Sequence, residues 1–202
     1  MQIAREMLGR AFAAGVRPGW VTMDEAYGQS KSLRVWLESH DQAYVVATRR
    51  NDDMISAGFG GGRVDDLIAG LPGRAWSRIS CGAGAHGPRE YDWARIPVRI
   101  CWQRGRGHWL LARRSITTGE LAYYVCYGPR KTRLLDLARI AGTRWAIEER
   151  FQQAKNQAGL DEYQVRDWRA WHAHITLAMA AHAWLAVART LAAKGEPTTP
   201  AA

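Results

Sequence analysis

The order of helix and strand patterns in the first 49 residues constrains the fold more than any other feature of the chain. Four segments alternate between the two periodicities: a helix pattern over residues 2–14, a strand pattern over 20–23, a helix pattern over 30–39 and a strand pattern over 43–49. Gly15 and Pro18 end the first helix pattern, and a turn at Gly28 precedes the second. Helices that alternate with short apolar strands predict an α/β layer with parallel strands.

The pattern changes after Asn51. The sequence SAGFGGGRVDD at residues 56–66 is rich in glycine and predicts a loop, without the spacing or the Lys-Ser/Thr ending of a phosphate-binding loop. Alternating residues separated by glycine-bearing turns then predict an antiparallel meander over residues 97–103, 109–116 and 121–128. From Arg133 onward the pattern is helical, and the last residues form a polar tail.

The distribution of charge indicates the kind of partner. The formal net charge of +9 favours an acidic partner, either nucleic acid or an anionic membrane surface. Most of the excess lies between Arg99 and Arg133, where eight basic residues accompany one acidic residue, Glu120. A solvated meander with an aromatic core would explain the interleaved aromatic residues but not the missing acids, so a surface that contacts phosphates is favoured. Its candidate residues are Arg104, Arg106, Arg113, Arg114, Arg130 and Lys131.

Other kinds of site find little support in the sequence. The three cysteines are widely spaced, which predicts reduced thiols in a cytoplasmic protein. His172 and His174 lack partner ligands at metal-binding spacing. The alanine-rich residues 175–193 are nearly long enough to span a bilayer, but His182 and Arg189 interrupt them, so a buried helix is favoured over a membrane span.

A later helix pattern places three charged residues along one edge. At about 100° per residue, Glu148 lies about 40° round from Arg144, and Lys155 falls between the two. An apolar arc adjoins this edge and consists of Ile147, Phe151, Ala154 and Ala158. Ordinary surface salt bridges and an active site for a polyanion both explain the arrangement, and the spacing leaves both open.

The spacing of Arg144, Glu148 and Lys155 resembles the R-E-K part of the Y-R-E-K signature of bacterial insertion-sequence DDE transposases. The segments RWAIEERFQQAKNQAGLDEYQVRDW and HITLAMAAHAWL resemble the C-terminal catalytic segment of that group. Upstream, GWVTMDEAYG, LRVWLE and AYVVATRRN resemble the segment with the second catalytic Asp, and SRISCGAGAHGPREYDWARI resembles a stretch between the two. The similarity covers most of residues 1–187 in the expected order.

The resemblance implies an incomplete ribonuclease-H-like fold of the α/β class. Its parts would be a partial catalytic core at residues 1–50, a β-rich insertion at 51–136, C-terminal helices at 137–194 that complete the core, and a tail at 195–202. In such enzymes three carboxylates hold two divalent ions, normally Mg²⁺, for DNA cleavage and strand transfer at the ends of the insertion sequence.

The same resemblance assigns Asp24 and Glu148 as catalytic residues and metal ligands, so we expect their side chains to converge. Glu148 is preferred over Glu149, which is rotated about 100° away from the edge that carries Arg144 and Lys155. Those two cations would contact DNA phosphates near the cleavage site. An Asp at a strand end is also a common helix cap, and a Glu four residues after an Arg is a common surface pair.

The chain departs from the family pattern in two places. The Tyr of the signature falls on Ala141, and no residue corresponds to the first catalytic Asp. We therefore expect the C-terminal portion of a transposase, inactive alone and with weak or absent Mg²⁺ binding, unless Asp52 or Asp53 replaces the lost ligand. The strand before Asp24 would then have an open edge and poorly covered apolar residues.

Two functions remain open at this point. One is the catalytic half of a transposase, and the alternative is a non-catalytic product that binds DNA or full-length transposase and so represses transposition. The expected partners are DNA at transposon ends and either a second copy of the chain or full-length transposase, without a membrane or a small-molecule substrate. The expected location is the bacterial cytoplasm, in association with the nucleoid.

Overall fold

A computed structural model describes residues 2–56, 60–84, 87–98 and 104–195. The chain divides into two compact units, the sheet unit Met1–Arg144 and the helical unit Trp145–Ala202. The elements of the sheet unit are α1 (Gln2–Ala13), β1 (Val21–Met23), α2 (Glu25–Gly28), α3 (Lys31–Ser39), β2 (Tyr44–Thr48), β3 (Asp53–Ser56), β4 (Gly60–Arg63), α4 (Val64–Ala69), β5 (Ser77–Gly84), β6 (Gly87–Pro97), β7 (Arg106–Ser115), β8 (Leu121–Pro129) and the first part of α5 (Leu134–Ala158). The helical unit contains the rest of α5 and α6 (Trp168–Gly195).

Six strands form one mixed sheet in the order β1-β2-β8-β7-β6-β5. β1 and β2 run parallel, with Val21 opposite Tyr44, and the other neighbouring pairs are antiparallel. The predicted α/β architecture with parallel strands is therefore confirmed. β2 also pairs with β8, with Val45 opposite Cys126, so the meander continues the same sheet as the parallel pair.

Helices cover both faces of this sheet. On one face, Leu137, Ala138 and Ala141 of α5 pack with strand residues that include Trp93 and Cys126. On the other face, α4 packs over β6 and β7, and α1 and α3 pack over β1 and β2. Because successive side chains of a strand point to opposite faces, each strand in the middle of the sheet contributes to both layers of core.

The helices α1 and α3 form where the periodicity predicts them. Ser30 caps α3, and its Oγ accepts the Leu33 N–H at 3.4 Å. Leu33 and Leu37 lie four residues apart on one helical face and are 1% and 0% exposed. Leu37 packs with Tyr44 and Val46 of β2, which holds α3 against the parallel strands.

Two segments differ from the sequence-based expectation. The glycine-rich stretch expected to be a loop contains the hairpin of β3 and β4 and the start of α4. The strands β5 and β6 were not predicted, because β6 buries residues on both faces, with Trp93 at 0% and Ile96 at 4% exposed, between charged residues that obscure the alternation. Of the strand predicted over residues 97–103, residues 99–103 lie outside the described part of the chain.

The sequence predicts that β1 has an open edge and poorly covered apolar residues, and the structure agrees only with the open edge. β1 lies at the end of the strand order, so its outer edge carries no strand among the described residues. The expected poor covering of its apolar residues is wrong for Val21, which is 9% exposed. Met23 is partly buried in the same cluster, to which α1 contributes Leu8 and Phe12. The helix that precedes β1 therefore covers one face of the strand while the edge stays open.

In the helical unit, α5 ends at Ala158 and Gly159 takes a left-handed conformation with φ +61°. A ring nitrogen of His174 lies 2.9 Å from the Gly159 carbonyl oxygen, and Arg189 donates to the side-chain oxygen of Gln157 at 2.9 Å. These two contacts join α6 to the residues at the C-terminal end of α5.

The helix α6 is largely exposed, so the favoured reading of a buried helix is wrong. Leu177 and Trp184 are 70% and 74% exposed, whereas Ala178 is buried. Within the described residues of the helical unit, α5 is the one helix beside α6, and it covers one stripe of the surface of α6. By length and composition, Trp168–Ala192 is apolar enough to cross a membrane, although one such helix is weak evidence for a membrane protein.

Candidate active site and nucleic-acid interface

Asp24 follows β1 directly and lies at the carboxyl end of the parallel strands. It is the N-cap of α2, and its Oδ1 accepts the Tyr27 N–H at 3.1 Å. A close approach of α2 to β2 fixes this position, since a Cβ on Gly28 would lie 2.0 Å from the Ala47 carbonyl oxygen. Asp24 therefore acts as a helix cap in the structure, and its role as a metal ligand remains a prediction.

Asp52, one of the two acids considered as a replacement ligand, lies just beyond β2 and holds α3 in place. Its Oδ2 accepts the Thr48 hydroxyl at 2.9 Å and the Arg34 guanidinium at 3.4 Å, and the Lys31 ammonium lies 3.7 Å from Oδ1. The side chain is 12% exposed. A metal ion would have to compete with two cations for this carboxylate. Asp53, the other acid considered, is an exposed residue of β3.

The three charged residues on α5 divide between the two units. Arg144 ends the sheet unit, and Glu148 and Lys155 belong to the helical unit. Since Asp24 lies in the sheet unit, the expected convergence of Asp24 and Glu148 stays a prediction. Lys155 pairs with Asp161, with 3.4 Å between Nζ and Oδ2 and both side chains about half exposed.

Arg144 shares its surroundings with a buried tyrosine of β8. Burial raises the pKa of Tyr124, while a hydrogen bond and the charge of Arg113 together with the charge of Arg144 act in the opposite direction. Ala141, at the position of the signature's Tyr, is 5% exposed and packs in the core against the sheet. This part of α5 is thus fixed on the sheet, with Arg144 at its end.

The described residues hold no cluster of three or more His, Cys, Asp or Glu side chains arranged to bind a metal ion. The two-ion site implied by the resemblance needs three carboxylates. Of the expected ligands, Asp24 already accepts the Tyr27 N–H with one carboxylate oxygen as the cap of α2. The residues present do not fit a two-metal site by themselves, and no chemical step is assigned to Mg²⁺.

The candidate phosphate-binding cations differ in their availability. Arg106 donates to Asp41, with 2.6 Å between Nε and Oδ1, and this hydrogen bond lowers the pKa of Asp41. Arg114 donates to Asp92 at 3.2 Å and lies over the ring of Trp76 at 4.3 Å. Each of these cations is therefore paired with an acid from outside the basic segment.

The remaining candidate cations differ in whether a neighbouring side chain contacts them. Arg113 lies over the ring of Tyr91, 4.7 Å from its centroid. Arg104, Arg130 and Lys131 are exposed and have no ion-pair partner among the described residues. Arg99, the first residue of the basic segment, lies outside the described residues. The six candidates therefore differ in whether an acid already pairs with them, and phosphate binding by these residues stays a prediction.

Strand register divides the six candidate cations between two ends of the sheet. Arg106 lies opposite Pro129, which places Arg104, Arg106, Arg130 and Lys131 where β7 begins and β8 ends. Arg113 and Arg114 lie opposite Ala122 and Leu121, at the other end. Because β2 is antiparallel to β8, with Thr48 opposite Tyr123, Asp24 lies at the Arg113 end. The two groups are on the order of 25 Å apart along the strands.

Sequence reasoning missed a buried polar group under α3. The Tyr44 hydroxyl donates to Glu38 Oε1 at 2.7 Å, and His108 Nε2 lies 3.0 Å from the same oxygen. Glu38 and His108 are 9% and 6% exposed, and they line a cavity of about 360 Å³. The position of Glu38 beside Leu37 on the inward side of α3 was the available signal for this group.

The chain is similar to one family of known proteins. A family model described as a transposase DDE domain matches residues 1–184, which include Asp24, Arg144, Glu148 and Lys155. No curated protein matches the chain. Since the family model spans most of the 202 residues, the chain belongs to the transposase DDE domain family.

Proposed function

We propose that this chain carries two of the three catalytic carboxylates of a transposase that cleaves and joins DNA at insertion-sequence ends. The family match over residues 1–184 carries the proposal. Asp24 would be the second Asp and Glu148 the Glu of the triad, within the R-E-K part of the signature. Arg144 and Lys155 would bind phosphates beside the reacting bond. Lys155 would exchange its ion pair with Asp161 for a phosphate.

The proposed architecture is an incomplete ribonuclease-H-like core with a β-rich insertion over residues 51–136. The parallel pair of β1 and β2 and the open edge of β1 support this reading. Two carboxylates cannot fix the geometry of two Mg²⁺ ions, so we expect residues 1–202 to be inactive alone. A third carboxylate supplied by another segment would complete the site.

A second candidate function is a non-catalytic product that represses transposition. The exposed cations Arg104, Arg130 and Lys131 support DNA binding without catalysis. The open edge of β1 offers a surface for a second copy of the chain or for full-length transposase. Both candidate functions would operate in the bacterial cytoplasm on nucleoid DNA.

A nicking assay separates the two candidates. Purified residues 1–202 are incubated with labelled transposon-end DNA and Mg²⁺ or Mn²⁺, and binding is followed by fluorescence anisotropy in the same samples. We expect binding without nicks or joined products. Metal-dependent nicking that Glu148→Ala abolishes and Glu149→Ala preserves would contradict the expected inactivity and establish the enzyme. Failure to bind DNA at low salt would contradict the first candidate and would leave the second only through binding to full-length transposase.

A further inference from the structure

A bidentate ion pair joins the turn after α3 to the start of β7. Arg106 Nε donates to Asp41 Oδ1 at 2.6 Å, and Arg106 Nη2 donates to Oδ2 and, at 3.2 Å, to the Asp41 carbonyl oxygen. The Tyr127 hydroxyl also donates to Oδ1, at 3.2 Å, and the Arg106 guanidinium lies over the Tyr127 ring. One guanidinium therefore contacts both oxygens of one carboxylate, which is the arrangement that arginine also forms with a phosphate.

Asp41 makes these contacts from a strained backbone conformation. Its φ is +52°, and in the described part of the chain it is the one residue other than glycine with a positive φ. Its N–H donates to the Glu38 carbonyl oxygen at 3.0 Å, where α3 ends. Glycine would form the same turn without strain, whereas aspartate only tolerates it. The turn itself therefore does not require a carboxylate, and what Asp41 adds is the contact with Arg106.

The pair is accessible to a competing anion. The side chain of Asp41 is 63% exposed, and that of Arg106 is 21% exposed. An ion pair with so exposed a partner contributes little to stability, because water screens its charges. A phosphate that arrives from solvent can replace the carboxylate on the same two donors, and the displaced Asp41 side chain then remains in water. The exchange therefore leaves no buried charge without a partner.

The other charges at this end of the sheet are mainly positive. Three further cations lie where β7 begins and β8 ends: Arg104, Arg130 and Lys131. Two acids near them contact other groups: Glu38 lies against His108, and Asp136 pairs with Arg133. Asp41 is thus the carboxylate that directly contacts one of the candidate phosphate-binding cations of this end.

We propose that the Asp41 carboxylate occupies the position of a DNA phosphate on Arg106 and is an autoinhibitory contact in DNA binding. This inference rests on the proposed action on DNA and adds a regulation of the same basic surface. The chain contacts DNA with one cation fewer than its fold supplies unless a phosphate displaces Asp41. The alternative is that the pair only closes the turn after α3. The strained φ and the exposure of Asp41 favour competition, because glycine would close that turn without strain.

The test compares residues 1–202 with the variant Asp41→Asn on labelled duplex DNA, by fluorescence anisotropy over a series of salt concentrations. Asparagine keeps the shape of the side chain and accepts the left-handed backbone, but it carries no charge. We expect Asp41→Asn to bind about 3- to 10-fold more tightly at about 0.1 M salt, because one further phosphate contact forms. The slope of log affinity against log salt should become steeper by about 0.9. Asp41→Gly, which also relieves the strain, should act in the same direction.

Two controls separate the release of Arg106 from a general gain of positive charge. Asp65→Asn removes the same charge from another bidentate pair, since Arg63 donates to the two oxygens of Asp65 at 2.9 Å and 2.6 Å. We expect this variant to change the affinity by less than about 2-fold, because Arg63 lies outside the basic segment. The double variant Asp41→Asn/Arg106→Ala should bind like Arg106→Ala alone, because the gain requires the guanidinium.

The outcomes distinguish the inference from the function on which it rests. Equal affinities of Asp41→Asn and Asp65→Asn, with DNA binding by the unchanged protein intact, would overturn the autoinhibitory contact and leave the proposed function standing. A gain that persists without Arg106 would overturn it as well. A lower unfolding midpoint in urea for Asp41→Asn, without tighter binding, would assign the pair to stability alone. Absence of DNA binding by both the unchanged protein and Asp41→Asn would overturn the inference together with the proposed action on DNA.

Discussion

The sheet unit and the helical unit of this chain differ in how far their apolar side chains are buried and their charged side chains are paired. In the sheet unit, helices cover both faces of six strands, and cations such as Arg106 and Arg114 meet acids from distant segments. In the helical unit, two helices cover one stripe of each other, and large apolar residues such as Leu177 and Trp184 stay exposed. Stability therefore resides mainly in the sheet unit, while the helical unit leaves large apolar side chains exposed to solvent.

The largest expected difference concerns a core ring. Trp93→Ala should lower the free energy of unfolding of the sheet unit by about 3–5 kcal/mol, because Trp93 is fully buried between the sheet and α5. The matched change Leu177→Ala in α6 should alter stability by less than about 0.5 kcal/mol, since Leu177 is 70% exposed. Urea titration followed by far-UV circular dichroism measures both. Equal losses would contradict the division of stability between the units.

A smaller effect tests backbone packing beside Asp24. Gly28→Ala should destabilise the sheet unit by about 1–3 kcal/mol, because the added Cβ would meet the Ala47 carbonyl oxygen at 2.0 Å. Gly9→Ala is the control: nothing lies within 4 Å of its added Cβ in α1, and the change should stabilise the helix by about 0.5–1 kcal/mol. A neutral Gly28→Ala in the same urea titration would show that α2 moves freely on β2.

Acid should act on the ion pairs of the sheet unit. Burial raises the pKa of Asp92, but hydrogen bonds from Arg78 and Arg114 outweigh it, and the net pKa lies below the ordinary 3.8. Because the folded pKa is the lower one, the stabilisation is present above pH 3.8 and is lost as pH falls through the folded value. Unfolding midpoints in urea should therefore decrease below about pH 4. Asp92→Asn should reduce this decrease and cost about 1 kcal/mol or less at neutral pH.

The smallest expected effect compares two cations at one end of the sheet. Arg104→Ala should flatten the slope of log affinity against log salt by about 0.9 on duplex DNA, since Arg104 is exposed. Arg106→Ala should flatten it less, because Asp41 already accepts hydrogen bonds from Arg106. Anisotropy titrations over a series of salt concentrations measure both slopes. A larger change with Arg106→Ala would indicate that DNA displaces Asp41.

Sequence patterns predicted α1, β1, α3 and β2 because their signals are local. The stripe of Leu33 and Leu37 and the cap at Ser30 lie within a few residues of one another. The pairing of Arg106 with Asp41 joins residues 65 positions apart, and no local pattern indicates it. For the same reason, the charges within one segment do not indicate which of its cations the fold pairs with acids from other segments.

The candidate site shows the same limit. The position of Asp24 at a strand end was predictable from a short apolar run, and so was the shared edge of Arg144, Glu148 and Lys155. Exposure of α6 was not predictable from its composition, because burial depends on how many neighbours the fold supplies. The sequence of a long apolar helix such as Trp168–Gly195 has the same pattern whether one helix or several pack against it.

The division of candidate cations between the two ends of the sheet sets a length for any duplex that touches both. The ends are on the order of 25 Å apart, and each base pair advances a duplex by about 3.4 Å, so about seven base pairs separate the two sets of phosphates. Seven pairs are roughly two-thirds of a helical turn. If a duplex lay along these strands, one DNA strand would face the protein at the Arg104 end and would have rotated largely away at the Arg114 end, where the complementary strand would face the protein instead.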